Sequence, residues 1–129
     1  MILVAISTGE LLDKLSILHI KKLELNDLEQ KKNVSREYEV LSREAAPFLD
    51  KTNIAKLYAQ LCDVNWSIWT QMNFIFENRS FPKSEIYLEA VEQTISLNIE
   101  RSEIKRTINV VTRSEIVEEK SYFKGSVQP

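Results

Sequence analysis

Apolar residues recur at every third or fourth position through most of this chain, with polar residues filling the gaps. Leu11, Leu15, Leu18 and Leu25 fall on one stripe, which Leu12, Ile20 and Leu23 widen, the pattern of a helix with a broad buried face. Its start is marked by Ser7, three residues before Glu10. The Ser7 hydroxyl can accept the Glu10 amide while the carboxylate reaches back, a capping box, and Ile6 and Leu11 flank it as a hydrophobic staple. A first helix is predicted from Thr8 or Gly9 to about residue 31.

Asn33 can cap a second, shorter helix carrying Val34, Tyr38 and Leu41, which Pro47 ends. A continuous or kinked first helix is the alternative. Thr52 or Asn53 opens a third helix, where Leu57, Leu61, Val64, Ile68, Met72 and Ile75 advance by fours and threes. Tyr58, Cys62, Trp66, Trp69 and Phe76 form a second apolar stripe, so this helix belongs in the middle of a bundle. The segment NRSFPKS turns the chain, and Ser84 caps a fourth helix that runs to about Val111. Along it, Leu88, Val91 and Ile95 make one line, and Leu97, Ile104, Ile108 and Val111 a neighbouring one.

Long helices joined by short loops run alternately up and down. The expected fold is therefore all-α: an elongated antiparallel bundle of three long helices and one short helix, in a single domain over 1–129, with extended arms at 1–7 and 113–129. Long hairpins of this kind leave an apolar edge uncovered, so a homodimer is expected.

Composition narrows the function classes. With 17 basic and 19 acidic residues in 129, the net charge of -2 supplies no global field for nucleic acid or an anionic membrane. The expected partners thus exclude both. The single cysteine, Cys62, cannot pair within the chain, which fits a reducing, cytoplasmic setting. MILVAI at the start is six residues without a basic flank and reads as neither a signal peptide nor a membrane span. His19 has no second histidine or cysteine at ligand spacing, no serine has a histidine base with its acid, and no glycine loop cradles phosphate. No cofactor is called for. Trp66 and Trp69 could stack on bases or sugars, but they sit in a core helix, where packing is their expected role.

Two constellations could carry chemistry. Glu10, Asp13, Glu24 and Asp27 fall within about a third of the helix circumference, and their E-x-x-D spacing resembles the acidic motifs of the all-helical nucleotide pyrophosphohydrolases, which hold magnesium between carboxylates of adjacent helices. On one unbroken helix, however, Glu10 and Glu24 lie about 21 Å apart, too far to share a metal without a chain break or a facing partner helix. The other reading is a water-facing stripe. In the fourth helix the line Leu88, Val91, Ile95 continues into Asn98, Ser102, Lys105 and Asn109, beside Arg101. Either this half of the helix emerges into water, or Arg101 and Lys105 form a partly buried polar cluster with Glu10 or Asp13, or with Glu118 and Glu119 of the C-terminal arm. Together with the free amides from Ser7 to Glu10, such a cluster would suit an anionic ligand.

The strings STGELLDKLSILHIKK, NIERSEIKRTIN and SEIVEEKSY, in that order, resemble a family of small helical proteins of unknown function from bacteria, cyanobacteria among them, and their phages. The resemblance covers nearly the whole chain. It implies that Glu10, Asp13, Lys14, Lys21, Asn98, Arg101, Lys105, Arg106, Asn109, Ser114, Glu118, Glu119, Lys120 and Tyr122 are signature positions, and that the arm SEIVEEKSY docks. His19 stands where the family pattern has an acidic residue.

Two functions are therefore expected. The first is a non-enzymatic helical interaction or assembly protein, dimeric, binding a small anion or partner segment at a polar seam of Glu10, Asp13, Lys14, Asn98, Arg101, Lys105, Asn109, Glu118 and Glu119. The alternative is a metal-dependent hydrolase of a nucleotide or phosphate ester, with carboxylates shared across the dimer.

Overall fold

The computed structural model describes residues 1–121, all-helical and without strands among those residues. Four helices follow in order: α1 (Thr8–Glu24), α2 (Leu28–Leu49), α3 (Thr52–Glu77) and α4 (Glu85–Val111). None of them is long and apolar enough to cross a membrane. Tyr122 and the rest of the expected arm to residue 129 lie outside the described residues.

The first two helices divide differently from the sequence expectation of one long helix and one short. The chain leaves the helix at Leu25, which is extended (ψ 138°), and α2 begins once Asp27 caps it by accepting the Gln30 amide at 2.9 Å. A carboxylate cap six residues upstream of Asn33 is enough to restart the helix there. Pro47, expected to end α2, lies inside its last turn. The pair is thus a 17-residue and a 22-residue helix, with Glu24 just before the break and Asp27 just after it.

Elsewhere the local signals hold. Ser7 caps α1 with its hydroxyl on the Glu10 amide, Ser84 caps α4 through Tyr87, and α3 starts at Thr52. Leu11, Leu12 and Leu15 of α1 meet Ala45, Ile54, Leu61, Val64, Ile104 and Ile108 in one apolar core. Burying a Leu or Ile fully contributes about 1.5–3 kcal/mol, so this cluster, which holds the five largest fully buried apolar side chains, Leu12, Leu15, Ile54, Leu61 and Ile108, binds α1 to α3 and α4. The α3–α4 pair is the most extensive helix contact, tied farther out by a Gln71–Gln93 side-chain bond of 2.7 Å.

The core does not extend to the far ends. The second stripe of α3 was expected to lie in the middle of a bundle, yet Tyr58, Cys62 and Trp69 are only half-buried, while Trp66 is 44% and Phe76 63% exposed. Leu88 and Ile95 of α4 are also uncovered. At the other end of α4 the chain turns through a helix stop in which Arg113 takes a left-handed backbone (φ 53°), the Ser114 amide reaches the Asn109 carbonyl at 2.8 Å and the Arg113 amide reaches that of Val110 at 3.2 Å. This double bond pattern normally places glycine at the left-handed residue. Arg113→Gly should therefore stabilise the fold by about 1 kcal/mol, read as a higher urea midpoint at unchanged slope.

Candidate functional site

The start of α1 is clamped by α4 and the chain beyond it. Three amides at this helix start would ordinarily face water. Here the Thr8 amide donates to Ser114 Oγ (3.2 Å), the Gly9 amide to Asn109 Oδ1 (2.7 Å) and the Glu10 amide to Ser7 Oγ (3.0 Å). Ser7 Oγ in turn donates to Glu118 Oε1 at 2.7 Å. The amides expected to be free for an anion are occupied, because Asn109 and the 114–118 segment reach them first. Gly9 is required for this approach: a Cβ there would stand 2.5 Å from the Lys105 carbonyl oxygen and 2.9 Å from Asn109 Oδ1.

One and two turns along α1 the charges meet. Lys105 Nζ lies 2.7 Å from Glu10 Oε2 and 3.6 Å from Asp13 Oδ2. Asp13, 1% exposed, takes both its oxygens to Arg101: the guanidinium Nε donates to Oδ1 at 2.9 Å and a terminal nitrogen donates to Oδ2. Such a two-point pairing with a carboxylate is the strong form of ion pair. Asn65 of α3 completes it, donating to Asp13 Oδ1 (2.9 Å) and to Ser16 Oγ (2.7 Å), while Ser16 Oγ donates to the Asp13 carbonyl (2.7 Å). Three helices are thereby joined at one carboxylate. Burial pushes the Asp13 carboxyl up, but the hydrogen bonds from Arg101 and Asn65, with the charges of Arg101 and Lys105, outweigh it and hold the group below the ordinary carboxylate range.

The remaining residues of the expected seam sit around this centre. Lys14 is exposed and 3.8 Å from Glu10. Asn98 bonds the Thr94 carbonyl and accepts a long bond from Arg101 (3.4 Å). Glu118 joins Ser7 and lies 3.5 Å from Asn109 Nδ2, and Glu119 pairs with Arg106 at 3.0 Å. Ser102, Lys105, Arg106, Asn109, Glu118 and Lys120 line a cleft with space for about one water molecule. Sequence reasoning missed Asn65 and Gly9. Asn65 interrupts a run of apolar positions between Val64 and Ile68, which is the signal a buried partner leaves.

Glu24 and Asp27 do not join the cluster: Glu24 is exposed and Asp27 is taken up by capping α2. Among the described residues no group of three or more His, Cys, Asp or Glu comes together to hold a metal ion. Cys62 is not an activated nucleophile, since burial pushes its thiol up and the Asp63 charge adds to this, against a hydrogen bond from Tyr58.

The site defines a helical protein whose polar centre joins its first helix, its last helix and the segment after it. The chain belongs to DUF6165, a family of unknown function, which it matches over residues 2–129. No curated protein and no solved structure matches it.

Three outcomes check this geometry. Asp13→Asn removes the charge that pairs Arg101 and should cost about 3 kcal/mol, at the low end for a buried pair because Arg101 reaches solvent. The same carboxylate sets a pH dependence. Its folded form resists protonation more than the unfolded chain does, so its contribution is complete above the ordinary carboxylate range and fades as pH falls through the depressed folded value. Chemical denaturation from pH 7 to pH 2 should show a steeper acid loss in the wild type than in Asp13→Asn. Separately, Gly9→Ala should cost about 1–3 kcal/mol through the clash with the Lys105 carbonyl, read as a lower thermal midpoint.

Proposed function

We propose that the protein is a non-enzymatic helical assembly module, an elongated antiparallel bundle folding as a single unit, whose uncovered far ends of α3 and α4 serve as its docking surface. The observation that carries this reading is the contrast between the two ends. Near Asp13 every charge named above has an opposite partner, whereas along distal α3 and α4 Trp66, Met72, Phe76, Phe81, Leu88 and Ile95 remain exposed, as do Met1 to Val4 of the extended start. Exposed apolar surface on this scale marks an interaction site. A homodimer in a reducing cytoplasm accords with that surface and with the single thiol. The seam then acts as a clasp that holds the scaffold in one shape.

Its charges leave little for a ligand. A small anion or an acidic side chain of a partner segment would enter at the cleft where Lys105, Arg106 and Lys120 face Glu118. The hydrolase alternative requires carboxylates able to take a metal, and Glu10 and Asp13 already carry Lys105 and Arg101.

A metal titration separates the two. Magnesium or manganese should leave the thermal midpoint unchanged, since a cation would have to displace two ammonium or guanidinium partners. A clear rise, following the law for a ligand that binds only the folded state, would turn the reading toward the enzyme. Docking itself is checked with a dye that fluoresces on exposed apolar surface: the wild type should bind it, and Phe76→Lys with Leu88→Lys should bind much less.

A further inference from the structure

The distal part of α3 has an unusual composition for an exposed helix. Between Asp63 and Glu77 it carries no charged residue across thirteen positions, VNWSIWTQMNFIF, in a chain that is 28% charged. Trp66, Ser67, Thr70, Met72, Asn73 and Phe76 of this stretch are exposed nonetheless. Loss of charge with enrichment in aromatic residues and Met is the composition of an interface core, and Trp is the residue type most often found to dominate binding.

The order of the residues points to the occupant. Cys62, Trp66, Trp69, Asn73 and Phe76 advance by alternating steps of four and three, the spacing of a seam that packs against another helix. Tyr58, at its lower end, lies beside Cys62 and beside Tyr38 of α2, and above them Trp66, Asn73 and Phe76 are exposed while Trp69 is half-buried. One group on it has an unmet hydrogen bond, and an exposed amide lies one turn away. The Trp69 indole N–H is shielded from water with no acceptor among the described residues, and the Asn73 side-chain amide makes no hydrogen bond among them. The two positions are symmetric about residue 71, as are Trp66 and Phe76.

We infer that the open α3 seam docks the same seam of a second copy of this chain, antiparallel about a two-fold axis near residue 71. This rests on the assembly reading above. In this register Trp66 packs on Phe76 of the copy, and the Trp69 indole, turned outward, donates to the Asn73 amide oxygen of the copy, each contact occurring twice. A two-fold axis sets every residue near it against its own kind, so a charge there would repel itself. An uncharged face with one amide is what self-pairing needs, and a lone Asn in an apolar seam fixes register. The seam from residue 62 to 76 is one stretch of helix about 21 Å long, with fewer residues than the roughly 20–30 a side of a durable complex. The dimer therefore exchanges with monomer on dilution.

Sedimentation velocity over a concentration series tests this. The wild type should shift from the 15.0 kDa chain toward twice that mass as concentration rises. Asn73→Lys, at an exposed position, should keep its helical content and melting behaviour while raising the dissociation constant about tenfold or more, since it sets an unpaired charge against Trp69 of the copy where the amide stood. Glu37→Lys, on the exposed face of α2 away from the docking surface, should dimerise as the wild type does. If Asn73→Lys dimerises as tightly as the wild type, the inference is overturned while the assembly reading stands on another face. A wild type that stays monomeric throughout but binds the apolar dye also overturns the self-pairing alone; one that stays monomeric and binds no dye removes both.

Discussion

The arrangement of this protein turns on one buried carboxylate. Asp13 sits where α1, α3 and α4 converge, and it is held by Arg101, Asn65 and, at a longer reach, Lys105. A buried ion pair is seldom a large source of net stability, since both partners give up water to form it. Its effect is on choice among alternatives. Sliding α1 along α4 by one turn, about 5.4 Å, would keep most Leu and Ile contacts of the apolar stripe in similar surroundings. It would strand Asp13 without its cation, and an uncompensated buried charge costs far more than a misplaced methyl group. Register is therefore set by the charge and adhesion by the apolar core.

The neighbouring contacts depend on that register. Only with Asp13 opposite Arg101 does Gly9 come against the Lys105 carbonyl and the Asn109 amide reach the start of α1. Asn109 then serves three segments, since its side chain takes the Gly9 amide and faces Glu118, while its carbonyl accepts the Ser114 amide that turns the chain back. The left-handed conformation of Arg113 is the cost of that turn. It brings Ser114 and Glu118 over the helix start, where they occupy the Thr8 amide and the Ser7 hydroxyl.

Much of this could be read from residue order. The helix starts at Ser7, Ser84 and Thr52 follow from capping and periodicity, as does the reach of the fourth helix to Val111. The meeting of Glu10 and Asp13 with Arg101 and Lys105 was legible as one of two readings, because a polar line continuing an apolar one must either surface or find partners. What periodicity could not show was the break at Leu25. Leu23, Leu25 and Leu28 continue the helical spacing straight through it, and only the competition between two caps, Asp27 and Asn33, decides where the helix restarts. Nor could the state of the Ser7 to Glu10 amides be inferred, because their acceptors come from residues 109 and 114, a hundred positions away. The second stripe of α3 shows the limit of pattern reading in another way. Periodicity identifies an apolar face, but what covers it depends on where the neighbouring helices run, and α2 covers only the lower end.

The two ends of the molecule thus solve opposite problems with opposite chemistry. Near Asp13 the contacts are made within one chain, so charges can be matched one to one, and each match excludes a wrong register. On distal α3 the exposed face lacks charge altogether, and selectivity there has to come from shape and from the few groups able to hydrogen-bond. A charged side chain in that face would have aided solubility at almost no expense to the fold, since Trp66, Asn73 and Phe76 are exposed. Its absence at the six exposed positions of this stretch is therefore not explained by folding. It accords with the docking proposed above, because a surface that must lose its water against another surface cannot keep a charge that the other side does not match.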